Sequence, residues 1–292
     1  MPHTMTDTLE TDYASILGAE LTALGYPPAN GNSWRELFLR RFNLKKRLVS
    51  ATPRTLHTAP GIVVPPELQA GYNSVIEKLQ TGFDVRPHLS RKLAEINFKD
   101  RLLNDWGILH FHLGTVLNGD GFMARTGDLL FARIDSQDAY LLGVGTHAHF
   151  SDQLLVQTLV DNWPDDMARY EQPNILDVQF QATDEEIKIL RRIGATAPVR
   201  ASNGKFYLGL GGGGMTFGGW PVEGAMRANQ MAKVIRSLRW HTRDHLEAIA
   251  TALGTAGHAV PKTLNFSLRK VGDVLVMSET STNKDIRSVR SL

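Results

Sequence analysis

The chain has 292 residues, a formal net charge of +2, 42% hydrophobic and 21% charged residues, and no cysteine. A near-neutral charge leaves nucleic-acid binding to local patches, and the missing thiols exclude disulfides, thiolate zinc, iron–sulfur clusters and a cysteine nucleophile. No run approaches the roughly 20 apolar residues of a membrane span, and the polar start "MPHTMTDTLETDY" lacks a signal-peptide pattern; a cytoplasmic protein without a membrane partner is expected.

Residues 1–13 read as a frayed tail. "YASILGAELTALGY" and "SWRELFLRRFNLKKRLV" have helical spacing, with Ser33 and Glu36 placed as a capping box. Four prolines between 53 and 66 predict an extended connector. "ELQAGYNSVIEKLQTG" reads as a helix closed by Gly82, and Ser90 as the cap of another running to Trp106 and stopped by Gly107. Leu109, Phe111 and Leu113 then alternate with His110 and His112, which predicts a half-buried strand; a helix continuing to Leu113 is the alternative.

"GDLLFARID" and "AYLLGVGTH" predict a hairpin closed by "SQD". A helix follows from Ser151 or Asp152 to Pro164. Thr183 and Glu186 frame another, ending near Gly194. A hairpin turns at Asn203-Gly204, and a glycine-rich loop leads into one long helix to about Leu253. Two strands, "TLNFSLRK" and "DVLVMSE", close the chain. The expected class is α+β, with a helical N-terminal region over 1–85, a central helix-plus-antiparallel-sheet domain over 86–172 and a C-terminal α+β domain over 173–292.

Two His-x-His pairs, His110/His112 and His147/His149, bracket the central strands beside Arg125 and Arg133. Histidine serves as acid or base near neutrality, and arginine grips phosphate oxygens. Together they hold the groups for metal-independent RNA cleavage by its own 2′-hydroxyl. The same imidazoles could ligate zinc in a hydrolase, but no fixed-spacing carboxylate or HExxH pattern accompanies them. The expectation is therefore no metal and no cofactor, with six candidate catalytic residues: His110, His112, Arg125, Arg133, His147 and His149.

Gly211, Gly212, Gly213 and Gly214 form a weak candidate phosphate loop, for which a purely structural turn is the competing reading. Two basic stretches are candidate nucleic-acid contacts. One holds Arg40, Arg41, Lys45, Lys46 and Arg47; the other places Arg236, Arg239 and Arg243 on one helix face. A non-catalytic nucleotide- or RNA-binding protein is thus a further alternative.

Over roughly residues 90–165, "ARTGDLLFARID" followed by "AYLLGVGTHAHF" resembles the RelE-type toxin core of the barnase–EndoU–colicin–RelE ribonucleases. Arg125, Gly127 and Asp128 match the opening of that family's strand motif, and His147 matches its later histidine. The family's later arginine is replaced by leucine or by Arg133, and the arginine after the histidine has no counterpart. The resemblance implies an endoribonuclease of toxin or phage- and stress-response type, with RNA as substrate and an antitoxin or regulatory protein as partner.

Overall fold

The computed structural model describes residues 2–29, 31–175 and 177–290. In chain order it contains β1 (Thr4–Asp7), α1 (Leu9–Ala23), α2 (Trp34–Arg47), β2 (Thr55–Thr58), α3 (Gln69–Thr81), α4 (Arg101–Trp106), β3 (Ile108–His112), β4 (Asp128–Ile134) and β5 (Asp138–Thr146). There follow α5 (Leu154–Asn162), α6 (Pro164–Met167), α7 (Asp184–Arg192), β6 (Val199–Arg200), β7 (Phe206–Tyr207) and α8 (Val222–Asp244). The chain ends with α9 (Leu246–Thr255), β8 (Thr263–Val271), β9 (Val274–Glu279) and β10 (Lys284–Arg290). Helices and mixed sheets make this an α+β protein. No helix among the described residues is long and apolar enough to cross a membrane.

Two compact units result, 1–42 with 224–292, and 43–223. These limits differ from the expected 85/86 and 172/173 boundaries because the chain termini share one sheet. β1 pairs in parallel with β8, giving the order β1-β8-β9-β10. Within the stretch expected as a frayed tail, Thr4–Asp7 therefore supplies an edge strand and Leu9 starts α1. In this unit Leu9, Tyr13, Leu17 and Leu21 form the buried stripe of α1, at helical spacing, and β8 contributes Leu264, Phe266 and Leu268 at strand spacing.

The second unit carries the histidines on a sheet ordered β2-β5-β4-β3. β2 lies inside the proline-rich stretch and pairs in parallel with β5, from Thr55 opposite Asp138 to Thr58 opposite Leu141. The helix expected from Ser90 to Trp106 is broken in two. Ser90 caps only a short turn at Arg91–Ala94, and Asp100 then caps α4 by accepting from the Leu103 amide at 3.0 Å. β3 forms as expected, but every residue in it is buried, so its histidine face is a covered one. Trp106, Ile108, Phe131, Leu155, Val156, Leu159 and Ile187 join one apolar cluster that packs α4, α5 and α7 over this sheet.

Several local expectations hold. The Thr183 hydroxyl and the Glu186 carboxylate cap α7 reciprocally, and the Ser33 amide donates to Glu36 at 3.0 Å. Gly82 ends α3 at φ 79°. α5 stops before Pro164, which opens α6 in place of terminating the segment. The long helix to Leu253 is two helices, α8 and α9, and a third C-terminal strand, β10, follows the expected pair.

Candidate functional site

β3 and β4 pair antiparallel, with His110 opposite Phe131 and His112 opposite Leu129. On β5, Gly143 and Gly145 stand across from the same two residues. With no side chains on these glycines, the face beside the histidines is left for the segment that follows β5. That segment turns through a 3₁₀ helix at His147–Ser151, and its His147 and Phe150 rings reach the site.

The ring centroids of His110, His112 and His147 form a nearly equilateral triangle with sides of 6.0, 5.9 and 6.1 Å. One ring nitrogen of each lies within 4.8 Å of the others. His110 Nδ1 and His112 Nε2 are buried without a hydrogen-bond partner. A buried polar atom left unpaired costs about 1–3 kcal/mol, so each of these two nitrogens gains from a bonding partner. The Thr126 amide reaches His112 Nδ1 only at 3.5 Å, the far limit of a hydrogen bond, and does not fix the tautomer.

Burial is the main cause that lowers the pKa of all three histidines, and the Arg125 guanidinium pushes each further down. His112 is lowered to about 3. At neutral pH the cluster is a set of uncharged imidazoles with free lone pairs. Arg125 itself is exposed and makes no hydrogen bond or ion pair among the described residues.

Behind the cluster, His88 is fully buried and was not singled out from the sequence. Its Nδ1 donates to the His112 carbonyl at 2.8 Å, and its Nε2 faces the Ser74 hydroxyl at 3.4 Å. Nothing in the local sequence marks this residue, since its partner lies 24 positions away. Asp100, buried at the head of α4, is a second residue that sequence reasoning missed; its charge favours a protonated His110.

A cavity of about 700 Å³ opens beside His110 and His147. Apolar and aromatic groups, Phe98, Leu102 and Phe150, line part of it, and much of the remainder is charged, with Arg101 from α4 and Lys188, Arg191 and Arg192 from α7. Arg191 is its most buried cation: Nε donates to Asp105 at 2.7 Å, Nη1 donates to the Phe150 carbonyl, and the guanidinium lies 3.9 Å over the Trp106 ring.

Other expected site residues lie elsewhere. His149 folds back on its own turn, with Nδ1 accepting from the Thr146 amide at 3.0 Å, and serves as a cap. Arg133 leaves the histidines for the Leu210 carbonyl and the Tyr170 hydroxyl, beside a different cavity. The glycine loop is not a free phosphate cradle. Gly211 donates to the Asp105 carbonyl, and both the Gly212 and Gly213 amides turn back to Gly209, each at 2.9 Å. At Gly211 a Cβ would meet the Asn104 carbonyl oxygen at 2.3 Å, so glycine is required there for close backbone packing.

The basic stretches are largely committed to structural contacts. Arg40 donates to Asn32, Arg41 pairs with Glu20, and Lys46 donates to the Gly211 carbonyl. Arg47 is buried on the Lys92 and Glu95 carbonyls, whereas Lys45 borders the second cavity. Arg239 bonds bidentately to Asp7, leaving Arg236 and Arg243 as the exposed cations of that helix face.

Compared with known families, curated proteins and solved structures, the chain finds no match.

Proposed function

We propose that the protein is a metal-dependent hydrolase in which His110, His112 and His147 hold a zinc-type divalent cation. The observation that carries this reading is that His110, His112 and His147 each bring a ring nitrogen within 4.8 Å of the others, with a buried, unpaired ring nitrogen on His110 and another on His112. Tetrahedral zinc holds histidine nitrogens at about 2.0–2.1 Å, which sets them about 3.4 Å apart. From separations of up to 4.8 Å, a closure of roughly an ångström completes the site. A three-histidine site with an open fourth position suits a catalytic centre; such an ion supplies Lewis acidity and an activated nucleophile. The protein's own part is to keep the imidazoles neutral by burial, to anchor His112 through His88, and to offer the cavity beside His110 and His147 to substrate.

The second reading, a metal-independent ribonuclease, is favoured by Arg125, whose free guanidinium beside the histidines suits an oxyphosphorane. It is also the reading implied by the RelE-like motif. Against it stands the depression of His112 to about 3, far from the near-neutral value a proton carrier needs.

Zinc titration of the full-length protein against a chromophoric chelator tests the choice. One equivalent is expected, lost in His112→Ala and His147→Ala and retained in His149→Ala. RNA cleavage that survives EDTA and dies in the same two variants would replace this reading with the second.

A further inference from the structure

The cavity beside the histidines has a charge pattern that a metal site alone does not explain. Five cations line it, Lys99, Arg101, Lys188, Arg191 and Arg192, against two carboxylates, Glu95 and Asp100. Three of the five are already engaged. Lys99 donates to the Gly218 carbonyl over the Trp220 ring, Lys188 pairs with Glu185 at 3.1 Å, and Arg191 pairs with Asp105. Neither the Arg101 nor the Arg192 side chain makes a hydrogen bond or ion pair among the described residues. Deeper in the wall, Arg191 is 5% exposed, and its Nη2 is buried with no partner.

Beside Asn97, Ser151 and the two histidines, the remaining lining is aromatic and apolar. Phe150 packs its ring 4.8 Å from His110 and 5.0 Å from His147, so an aromatic surface adjoins the reacting centre directly. Phe98 and Leu102 add further apolar surface. At about 700 Å³ the cavity lies within the range of roughly 300–1,000 Å³ that accommodates a cofactor-sized molecule. A flat ring and an anion together match both halves of this wall. Arginine forks bind phosphate oxygens bidentately, and aromatic faces stack on bases.

We propose that this cavity binds a nucleotide unit, with its phosphate held by Arg101 and Arg192 and its base against Phe150 and Phe98. The proposal rests on reading the histidine cavity as the substrate site, but not on which catalyst, metal or proton carrier, acts there.

Calorimetric titration of the full-length protein tests it, using the four ribonucleoside 5′-monophosphates and their nucleosides, each with and without EDTA. The phosphate forms are expected to bind at least about tenfold more tightly than the nucleosides, since charge-assisted contacts are lost without the phosphate. Arg101→Ala/Arg192→Ala should remove that preference while leaving zinc stoichiometry and thermal unfolding unchanged, and Arg101→Lys/Arg192→Lys should restore part of it. Phe150→Leu should weaken nucleosides and nucleotides alike. Equal binding of nucleoside and nucleotide, or no nucleotide binding by protein that takes up its full equivalent of zinc, would overturn the proposal. Nucleotide binding that persists in protein unable to bind zinc would leave it standing and remove only the metal.

Discussion

The Asp105–Arg191 pair in the cavity wall gives the sharpest energetic prediction. Both side chains are nearly inaccessible, at 2% and 5% exposure, and their contact is 2.7 Å. Burial pushes the Asp105 carboxyl up and the Arg191 guanidinium down, each against its partner's pull. Two unit charges about 4 Å apart attract by about 4 kcal/mol at an effective dielectric near 20. Removing each ion from water costs several kcal/mol, so the intact pair contributes little net stability.

Removing one member is different. Asp105→Asn leaves a buried guanidinium without its counter-charge and should cost about 3–5 kcal/mol. Arg191→Met should cost a similar amount. It strands the carboxylate, forfeits the cation–π contact with Trp106 and leaves the Phe150 carbonyl without its donor. The double variant Asp105→Leu/Arg191→Met should recover most of the loss, because neither charge is then buried. Urea unfolding, followed by tryptophan fluorescence, measures all three. Nearly additive losses in the double variant would refute the reasoning, because they would mean that the two side chains act independently of each other.

Three further outcomes follow from single contacts. At Gly71 a Cβ would lie 1.8 Å from the Leu113 carbonyl oxygen, so Gly71→Ala should destabilise by about 1–3 kcal/mol or more and weaken zinc uptake by displacing the end of β3; unchanged unfolding would contradict it. His88→Phe removes the donor to the His112 carbonyl and should cost about 1–3 kcal/mol, with cation affinity falling about tenfold. Full zinc affinity in that variant would show that His88 does not position the ligand. Hydrogen bonding to Arg239, the largest influence on Asp7, lowers its pKa. The pair's stabilisation is therefore complete above the ordinary aspartate range and is lost as pH falls through the lower folded value. Asp7→Asn should flatten the acid limb of the pH–stability curve, and an identical acid limb would count against the linkage.

Local chemistry made many of the elements legible. Ser33/Glu36 and Thr183/Glu186 mark helix starts, and "SQD" marks the β4–β5 turn, because each motif acts within a few residues. The strands β1, β2 and β10 were not legible. β1 and β2 depend on partners about 80 to 260 positions away, Asp138 for Thr55 and Thr263 for Thr4, and β10 is a largely exposed edge without an apolar pattern. The histidine pairs show the limit most clearly. On β3 a spacing of two keeps His110 and His112 on one face, whereas the second pair lies in a 3₁₀ turn, where two residues advance the chain by about 240°. His147 therefore joins the cluster and His149 turns away, although their sequence spacing is identical to that of the first pair.

Arg125 sets the two catalytic readings against each other in one measurable way. An exposed cation beside three neutral imidazoles opposes a divalent ion, and solvent and salt screen that opposition without abolishing it. Under the metal reading, Arg125→Ala should tighten zinc binding by about two- to fivefold at low ionic strength, with the gain shrinking as salt is added. Under the metal-free reading the same guanidinium stabilises the phosphorane, and its loss should slow RNA cleavage by about a hundredfold or more without involving a cation. A chelator titration at two salt concentrations separates these outcomes. Zinc affinity that falls in Arg125→Ala would mean that the residue supports the site's geometry, and the electrostatic argument would fail. A rise that salt removes would identify Arg125 as an electrostatic counterweight to the bound cation.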